Sequence, residues 1–216
     1  MNGCGGSEAS ERAQTSGPCG PGQRWEIIIG GEGGQGVVLA GALLGEAAVR
    51  AGLNAAHTSS YGIATRGGFT RSDVIVVPAN EEIAYPRVRR PGLVVALSEG
   101  AYGRLLPFCG PATLLIRDTA IPCPVAAGGG AAAPSGERLW RELVVALRDA
   151  ARQAGGERVI NMVALGAALA ATAMFSPAFL EEVLRDRFRG ERGETNCRAM
   201  WAGYGLVPHG RDGKGD

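Results

Sequence analysis

Trp25-Glu26-Ile27-Ile28-Ile29-Gly30 runs straight into Gly31-Glu32-Gly33-Gly34-Gln35-Gly36, and no other stretch narrows the fold as much. The isoleucines are β-branched and suit a strand buried on both faces. The glycines that follow tolerate backbone angles other residues resist, so the chain can turn sharply. Beyond them Val37, Val38, Ala40, Gly41, Leu44, Ala47 and Ala48 recur at helical spacing, and Gly52 ends the helix. Gly41 and Gly45 lie one turn apart, which lets this helix approach a neighbour closely. Buried strand, glycine turn and helix form the opening unit of a doubly wound α/β domain.

Later segments extend the pattern. Leu53–Thr58, Thr70–Val77, Leu93–Leu97 and Ala112–Arg117 read as strands, with a short helix over Glu99–Leu106. Strands interleaved with helices argue for a mostly parallel sheet with helices on both faces. Four helical segments follow, at Glu137–Ala154, Asn161–Ala173, Pro177–Phe188 and Glu194–Gly203. The third has Ser176 as N-cap and Pro177 at its first position. Glu181 and Glu182 come early, and Arg185, Arg187 and Arg189 late, as the helix dipole favours. Asn161–Ala173 is apolar nearly all round and should be buried in the core or against a partner. The expected fold is α/β and Rossmann-like over residues 25–206, with a helical C-terminal part. Residues 1–24 read as a disordered leader, 121–136 as a low-complexity Gly/Ala/Pro insertion, and 207–216 as a flexible tail.

Composition removes several classes of function. The chain carries 22 basic and 21 acidic residues, so charge gives no reason to expect nucleic acid or an acidic membrane. Lys214 is the only lysine and sits in the tail, which rules out a core Schiff-base lysine and a P-loop. Cys4, Cys19, Cys109, Cys123 and Cys197 include no CxxC pair, so the chain alone should carry no iron–sulfur cluster. His57 and His209 are the only histidines, which argues against zinc. Free thiols suit a reducing cytoplasm. No charged region followed by an apolar run opens the chain, so no signal peptide is expected. The longest apolar stretch, Val159–Phe175, is short of the roughly 20 residues a membrane span needs.

Two motifs could carry chemistry. The glycine turn contains G-x-G-x-x-G between a strand and a helix, where amide hydrogens and a helix N-terminus can meet a phosphate. A dinucleotide would also want an acid at the end of the second strand, where Ala56-His57-Thr58-Ser59 has none. The same turn also suits a tight strand–helix connection with no ligand. The second motif is Ser59-Ser60-Tyr61-Gly62-Ile63-Ala64-Thr65-Arg66-Gly67-Gly68, at the carboxyl end of the sheet. Its hydroxyls, phenol, arginine and Gly-Gly pair suit an anion cradle, and equally a polar surface loop. His57 at a strand end reads more readily as a hydrogen-bonded structural residue than as a base. Asp73 faces solvent or pairs with an arginine.

Together these motifs carry a resemblance. GEGGQGVVLAGALLGEAA, then SYG-x-x-x-RGG, then TRSDVIVV resembles the gamma subunit of 2-oxoacid:ferredoxin oxidoreductases. Tyr85-Pro86, the tract LVVALSEGAY and Asn161-Met162-Val163-Ala164-Leu165-Gly166-Ala167 are similar too. The likeness covers about Glu26 to Tyr204. It departs at Ile121–Arg148, where the family has a strand and this chain shows the insertion and a tryptophan-containing helix.

The resemblance implies a Rossmann-like subunit, inactive alone, in a cytoplasmic hetero-oligomer. That complex would decarboxylate a 2-oxoacid oxidatively to an acyl-CoA and pass electrons to ferredoxin. Thiamine diphosphate, magnesium and iron–sulfur clusters would sit on the partner alpha and beta subunits. This chain would contact coenzyme A through Gly31, Gly33, Gly34, Gln35, Gly36, Ser60, Tyr61, Gly62, Arg66, Gly67 and Gly68, with no catalytic or metal-binding residue of its own. Coenzyme A carries its ribose phosphate where a dinucleotide site places an acid, so the missing acid fits. The 2-oxoglutarate branch is the most similar. Pyruvate, branched-chain and indolepyruvate enzymes stay open, as does a purely structural subunit without ligand contact.

Overall fold

The computed structural model describes residues 23–61, 68–123 and 140–208. Most of the expected leader, insertion and tail lie outside these residues. β1 (Trp25–Glu32) leads through the glycine turn into α1 (Val37–Arg50). β2 (Asn54–Tyr61) and β3 (Phe69–Val77) follow, then β4 (Leu93–Ala96), α2 (Glu99–Leu105) with a 3₁₀ turn at Leu106–Phe108, and β5 (Leu114–Asp118). β6 (Arg141–Val145) and α3 (Leu147–Ala154) precede a second 3₁₀ turn at Glu157–Val159. The chain then forms α4 (Ile160–Thr172), α5 (Pro177–Arg187) and α6 (Glu191–Gly205).

The strands make one sheet in the order β2-β3-β1-β4-β5-β6. β1, β4, β5 and β6 are parallel, as expected. β3 runs antiparallel to both β1 and β2, so the sheet is mixed with this strand alone reversed. The cause is local: residues 62–68 are too few for the crossover, usually a dozen residues or more, that parallel neighbours need.

Strand alternation divides the core. Ile27, Ile29, Val74, Val76, Leu93 and Val95 face α1 and α3–α6. Ile28, Ile75, Val77, Val94 and Leu115 face α2, with Tyr102 and Trp140. Helices therefore cover both faces. Gly41 lets α1 settle on the hairpin floor, because a Cβ there would meet Ser72 Oγ and His57. α4 is buried in the core, as its all-round apolar sequence predicts. It meets α6 backbone to backbone: a Cβ on Gly166 would strike the Met200 carbonyl, and one on Gly203 the Val163 carbonyl. Ser176 caps α5 as read, its Oγ accepting from the Ala178 amide at 3.4 Å.

One element differs in kind. The expected helix over Glu137–Ala154 is a strand in part: Arg141–Val145 pairs with β5, and only Leu147–Ala154 is helical. Leu143, Val144 and Val145 form an apolar run too short for periodicity to assign. The free edge of β5 decides it by offering backbone hydrogen bonds. The strand that the resemblance implied near this point is thus present.

Candidate functional site

The glycine turn, the end of β2 and the start of β3 lie on the same edge of the sheet, because β1 and β2 point the same way on either side of β3. The turn is tied to the residue before β3, Gly33 N–H donating to the Gly68 carbonyl at 3.0 Å. Gly62, Arg66 and Gly67 lie outside the described residues, as does the side chain of Tyr61.

Within the turn the glycines do different work. A Cβ on Gly31 would meet Gln35 Oε1 at 2.6 Å and Val37 Cγ2 at 2.8 Å, so its smallness serves internal packing. Gln35 is a brace: Oε1 accepts from Glu32 N–H at 2.7 Å and Nε2 donates to the Leu97 carbonyl at 3.2 Å. Gly36 caps α1 at φ 70°, and a Cβ there would run into Asn161 Nδ2. That nitrogen donates to the Gly36 carbonyl at 3.2 Å, while Asn161 Oδ1 accepts from Met162 N–H at 3.0 Å. Gly34 differs. It has φ 98°, and a Cβ on it would find no atom within 4 Å. The amides of Gly34, Gly36, Val37, Val38 and Leu39 have no partner among the described residues, and the first turn of α1 carries no acid and no side-chain cap. Such a corner suits an anion.

Gly34 and Gln35 line a cleft of about 250 Å³ with Arg148, Glu157, Arg158 and Ile160. Arg148 is only loosely paired, 3.8 Å from Asp118 Oδ1. Glu157 is held by Arg152 through contacts of 2.9 and 2.6 Å, which leaves the arginines to set the local charge. Sequence reasoning missed Arg148 and Arg158. A signal existed, since a cation at a helix start opposes the dipole and implies another purpose. The helix wrongly begun at Glu137 hid it for Arg148.

Ser60 faces elsewhere. With Thr58 it lines a larger cleft, about 820 Å³, under the segment carrying Tyr85 and Pro86. Arg71, Arg87 and Arg89 also line it. Arg71 pairs with buried Asp73 and stacks over Phe108 at 4.2 Å. Asp73 is thus the arginine partner of the two possibilities its sequence left. His57 Nε2 lies 2.8 Å from Ser72 Oγ beneath α1, and burial lowers its pKa, so it stays neutral near pH 7. It is a structural histidine. Burial pushes the Cys109 thiol up to about 12, which makes it inert. Among the described residues no three His, Cys, Asp or Glu side chains are grouped as metal ligands, and no helix is long and apolar enough to cross a membrane.

Residues 26–206 match the family described as pyruvate ferredoxin/flavodoxin oxidoreductase. The chain belongs to this family. It is 36% identical over 199 residues to the 2-oxoglutarate synthase subunit KorC of Methanothermobacter thermautotrophicus, covering 87% of this chain and 97% of that protein. It is 28% identical over 201 residues to the indolepyruvate oxidoreductase subunit IorB of Archaeoglobus fulgidus, covering 87% and 98%. Among solved structures, the gamma subunit of a keto/oxoacid ferredoxin oxidoreductase from Geobacter sulfurreducens superposes with a TM-score of 0.68 at 27% identity, over 84% of this chain and 97% of that one. The 2-oxoglutarate:ferredoxin oxidoreductase of Magnetococcus marinus, solved with 2-oxoglutarate, coenzyme A and succinyl-CoA bound, shares the fold with a TM-score of 0.71 at 24% identity. That match covers 85% of this chain and 31% of that one. The chain is a gamma-type subunit of a 2-oxoacid:ferredoxin oxidoreductase, as its motifs led one to expect.

Proposed function

We propose that this gamma subunit holds the phosphates of coenzyme A, with 2-oxoglutarate as the substrate of the assembled enzyme. The carrying observation is the open corner at Gly34, where unpartnered amides of the turn and of α1 share a cleft with Arg148 and Arg158. Coenzyme A fits this donor set. Its pyrophosphate suits backbone amides and a helix start, and its further phosphate suits a guanidinium. Its own contribution when bound is the thiol that accepts the acyl group. The role of this chain is to fix the phosphate end. Arg66 is the further guanidinium we assign to that end on its motif, which runs on to Gly68, the acceptor of the Gly33 N–H. The 2-oxoglutarate assignment rests on the KorC relatives. The complex is a cytoplasmic hetero-oligomer with alpha and beta subunits that carry thiamine diphosphate, magnesium and clusters, and ferredoxin takes the electrons.

Steady-state kinetics of the assembled enzyme test this. Arg148→Gln should raise KM for coenzyme A about 10-fold, and Arg66→Ala about 10- to 100-fold, from charge-assisted contacts worth roughly 1.5–3 kcal/mol. Decarboxylation of the 2-oxoacid assayed without coenzyme A should change far less. If neither variant moves this KM and Arg66→Ala instead dissociates the complex, the edge is a subunit contact. The arginine-lined cleft beside exposed Tyr85 and Phe108 favours that alternative.

A further inference from the structure

Hydrogen bonding leaves one edge of the sheet bare. Gly33 N–H bonds to the Gly68 carbonyl, and the β1–β3 register continues unbroken through Gly31↔Thr70 and Ile29↔Ser72. Pairs that exchange hydrogen bonds alternate in an antiparallel ladder, so β3 spends its even-numbered residues on β1 and its odd-numbered ones on β2. Asp73 faces Thr58 and Ile75 faces Ala56, so β2 bonds inward through its even-numbered residues. The backbone groups of Ala55, His57 and Ser59 therefore point out of the sheet, and none has a backbone partner among the described residues. Natural edges are blunted by brevity, charge or proline. The opposite edge, β6, follows this rule with five residues that open on Arg141 and Glu142. β2 does not: it is eight residues long, Asn54 to Tyr61, with no proline, no glycine and no acid, lysine or arginine. Beside it, α1 turns the uncharged stripe Val38, Ala42, Gly45 and Val49 away from α5, which pairs with Glu46 and Arg50 instead. A Cβ on Gly45 would stand 3.9 Å from Ala55 and His57, so this stripe flanks β2, and Val49 is 58% exposed.

From this arrangement we infer that β2 is the seam of a homodimer: two copies of the chain pair their β2 strands antiparallel about a two-fold axis at His57, so that one sheet continues into the next. Ala55 then faces Ser59 of the second copy, and His57 faces its counterpart. Every outward N–H and carbonyl of these residues finds a partner, and the two α1 stripes close over the seam. Charge complementarity selects a second copy as the occupant. The segment after β3 runs along β2: Asn54 Nδ2 donates to the Ala79 and Glu81 carbonyls, each at 3.0 Å, and Thr58 Oγ1 donates to the Pro86 carbonyl at 3.0 Å. The same axis sets Asn54 beside Ser60 of the second copy, which brings Glu82 of each chain to Arg87 of the other. Both side chains belong to exposed residues, and neither has an ion pair among the described residues. Glu81, their neighbour, is already taken by Arg24 at 2.7 Å. The inference is independent of the phosphate corner.

Sedimentation equilibrium of the full chain tests the seam. The chain should sediment at twice the 22.2 kDa of one copy. Ala55→Pro removes an outward N–H without touching the β2–β3 ladder. It should weaken the dimer by about 10-fold or more while far-ultraviolet circular dichroism stays unchanged. Arg87→Glu and Glu82→Arg should each weaken it about 5- to 10-fold, and the double variant should restore it, because each copy then offers the exchanged pair. On the unaltered chain, the amide hydrogens of Ala55, His57 and Ser59 should exchange slowly in the dimer and fast once dilution separates the copies. A monomer at every concentration, a dimer that Ala55→Pro leaves intact, a double variant no tighter than the single ones, or fast exchange of those amides in the dimer would each overturn the seam.

Discussion

Two glycines of one turn should respond very differently to the same methyl group. Gly34 and Gly36 both have positive φ, 98° and 70°, so alanine at either costs about 1–2 kcal/mol of backbone strain. At Gly34 the strain is the whole cost, because the Cβ meets nothing within 4 Å. At Gly36 the Cβ displaces Asn161 Nδ2, which breaks its hydrogen bond to the Gly36 carbonyl. Asn161 is 3% exposed, so the freed amide stays buried and unsatisfied, adding roughly 1–3 kcal/mol. Gly36→Ala should therefore cost about 2–5 kcal/mol, against about 1–2 for Gly34→Ala. Guanidinium unfolding of the isolated chain reads both values as shifts in midpoint at constant slope. A cycle with Asn161→Ala isolates the contact. With the asparagine already removed, Gly36→Ala should cost only the strain, a coupling of about 1–3 kcal/mol. Equal costs for the two glycines, or additivity in the cycle to within about 0.5 kcal/mol, would refute the idea that α4 locks the turn.

Two further perturbations follow from buried polar groups. Glu142 accepts from Arg117 Nε and from the Tyr102 hydroxyl, both at 2.8 Å, and the Arg117 and Glu142 side chains are 10% and 4% exposed. Glu142→Ala strands a buried guanidinium and should cost about 3–5 kcal/mol in the same unfolding assay, whereas a loss below about 1 kcal/mol would mean that water replaces the carboxylate. His57 has a folded pKa below its ordinary 6.5 because of burial. Below pH 6.5 the unfolded chain therefore takes up a proton that the fold refuses, and stability falls as pH drops towards the folded pKa, by at most about 1.4 kcal/mol per pH unit. His57→Gln should flatten this part of the stability–pH curve, and an unchanged slope would show that another group causes it.

Local sequence was enough for the first half of the fold. Ile27–Ile29, the glycines and the small-residue face of α1 each admit one reading, because burial, turn geometry and helical period agree there. The same holds for α5, where Ser176 and Pro177 cap the helix through neighbours in sequence. Asn161 shows the limit. It was legible as part of a motif but read as one more member of a buried apolar helix. Its work at Gly36 depends on α4 reaching a turn that is remote in sequence.

Other features had no local signature at all. Arg141–Val145 is a strand because β5 leaves an edge beside it, and a run of three apolar residues cannot announce its partner. Gly31, Gly34 and Gly36 look alike in sequence, yet two are small to admit protein atoms and one opens on space. Arg148 and Arg158 reach Gly34 only because the parallel strands carry α3 and the start of α4 back to the carboxyl edge where β1 ends. Sequence determined which segments could be strand, turn and helix, since those follow from each residue's own torsions and burial. Tertiary structure decided which amides stay unpartnered, which arginines face them and which carbonyl Asn161 reaches, because these are relations between segments that only the folded chain brings together.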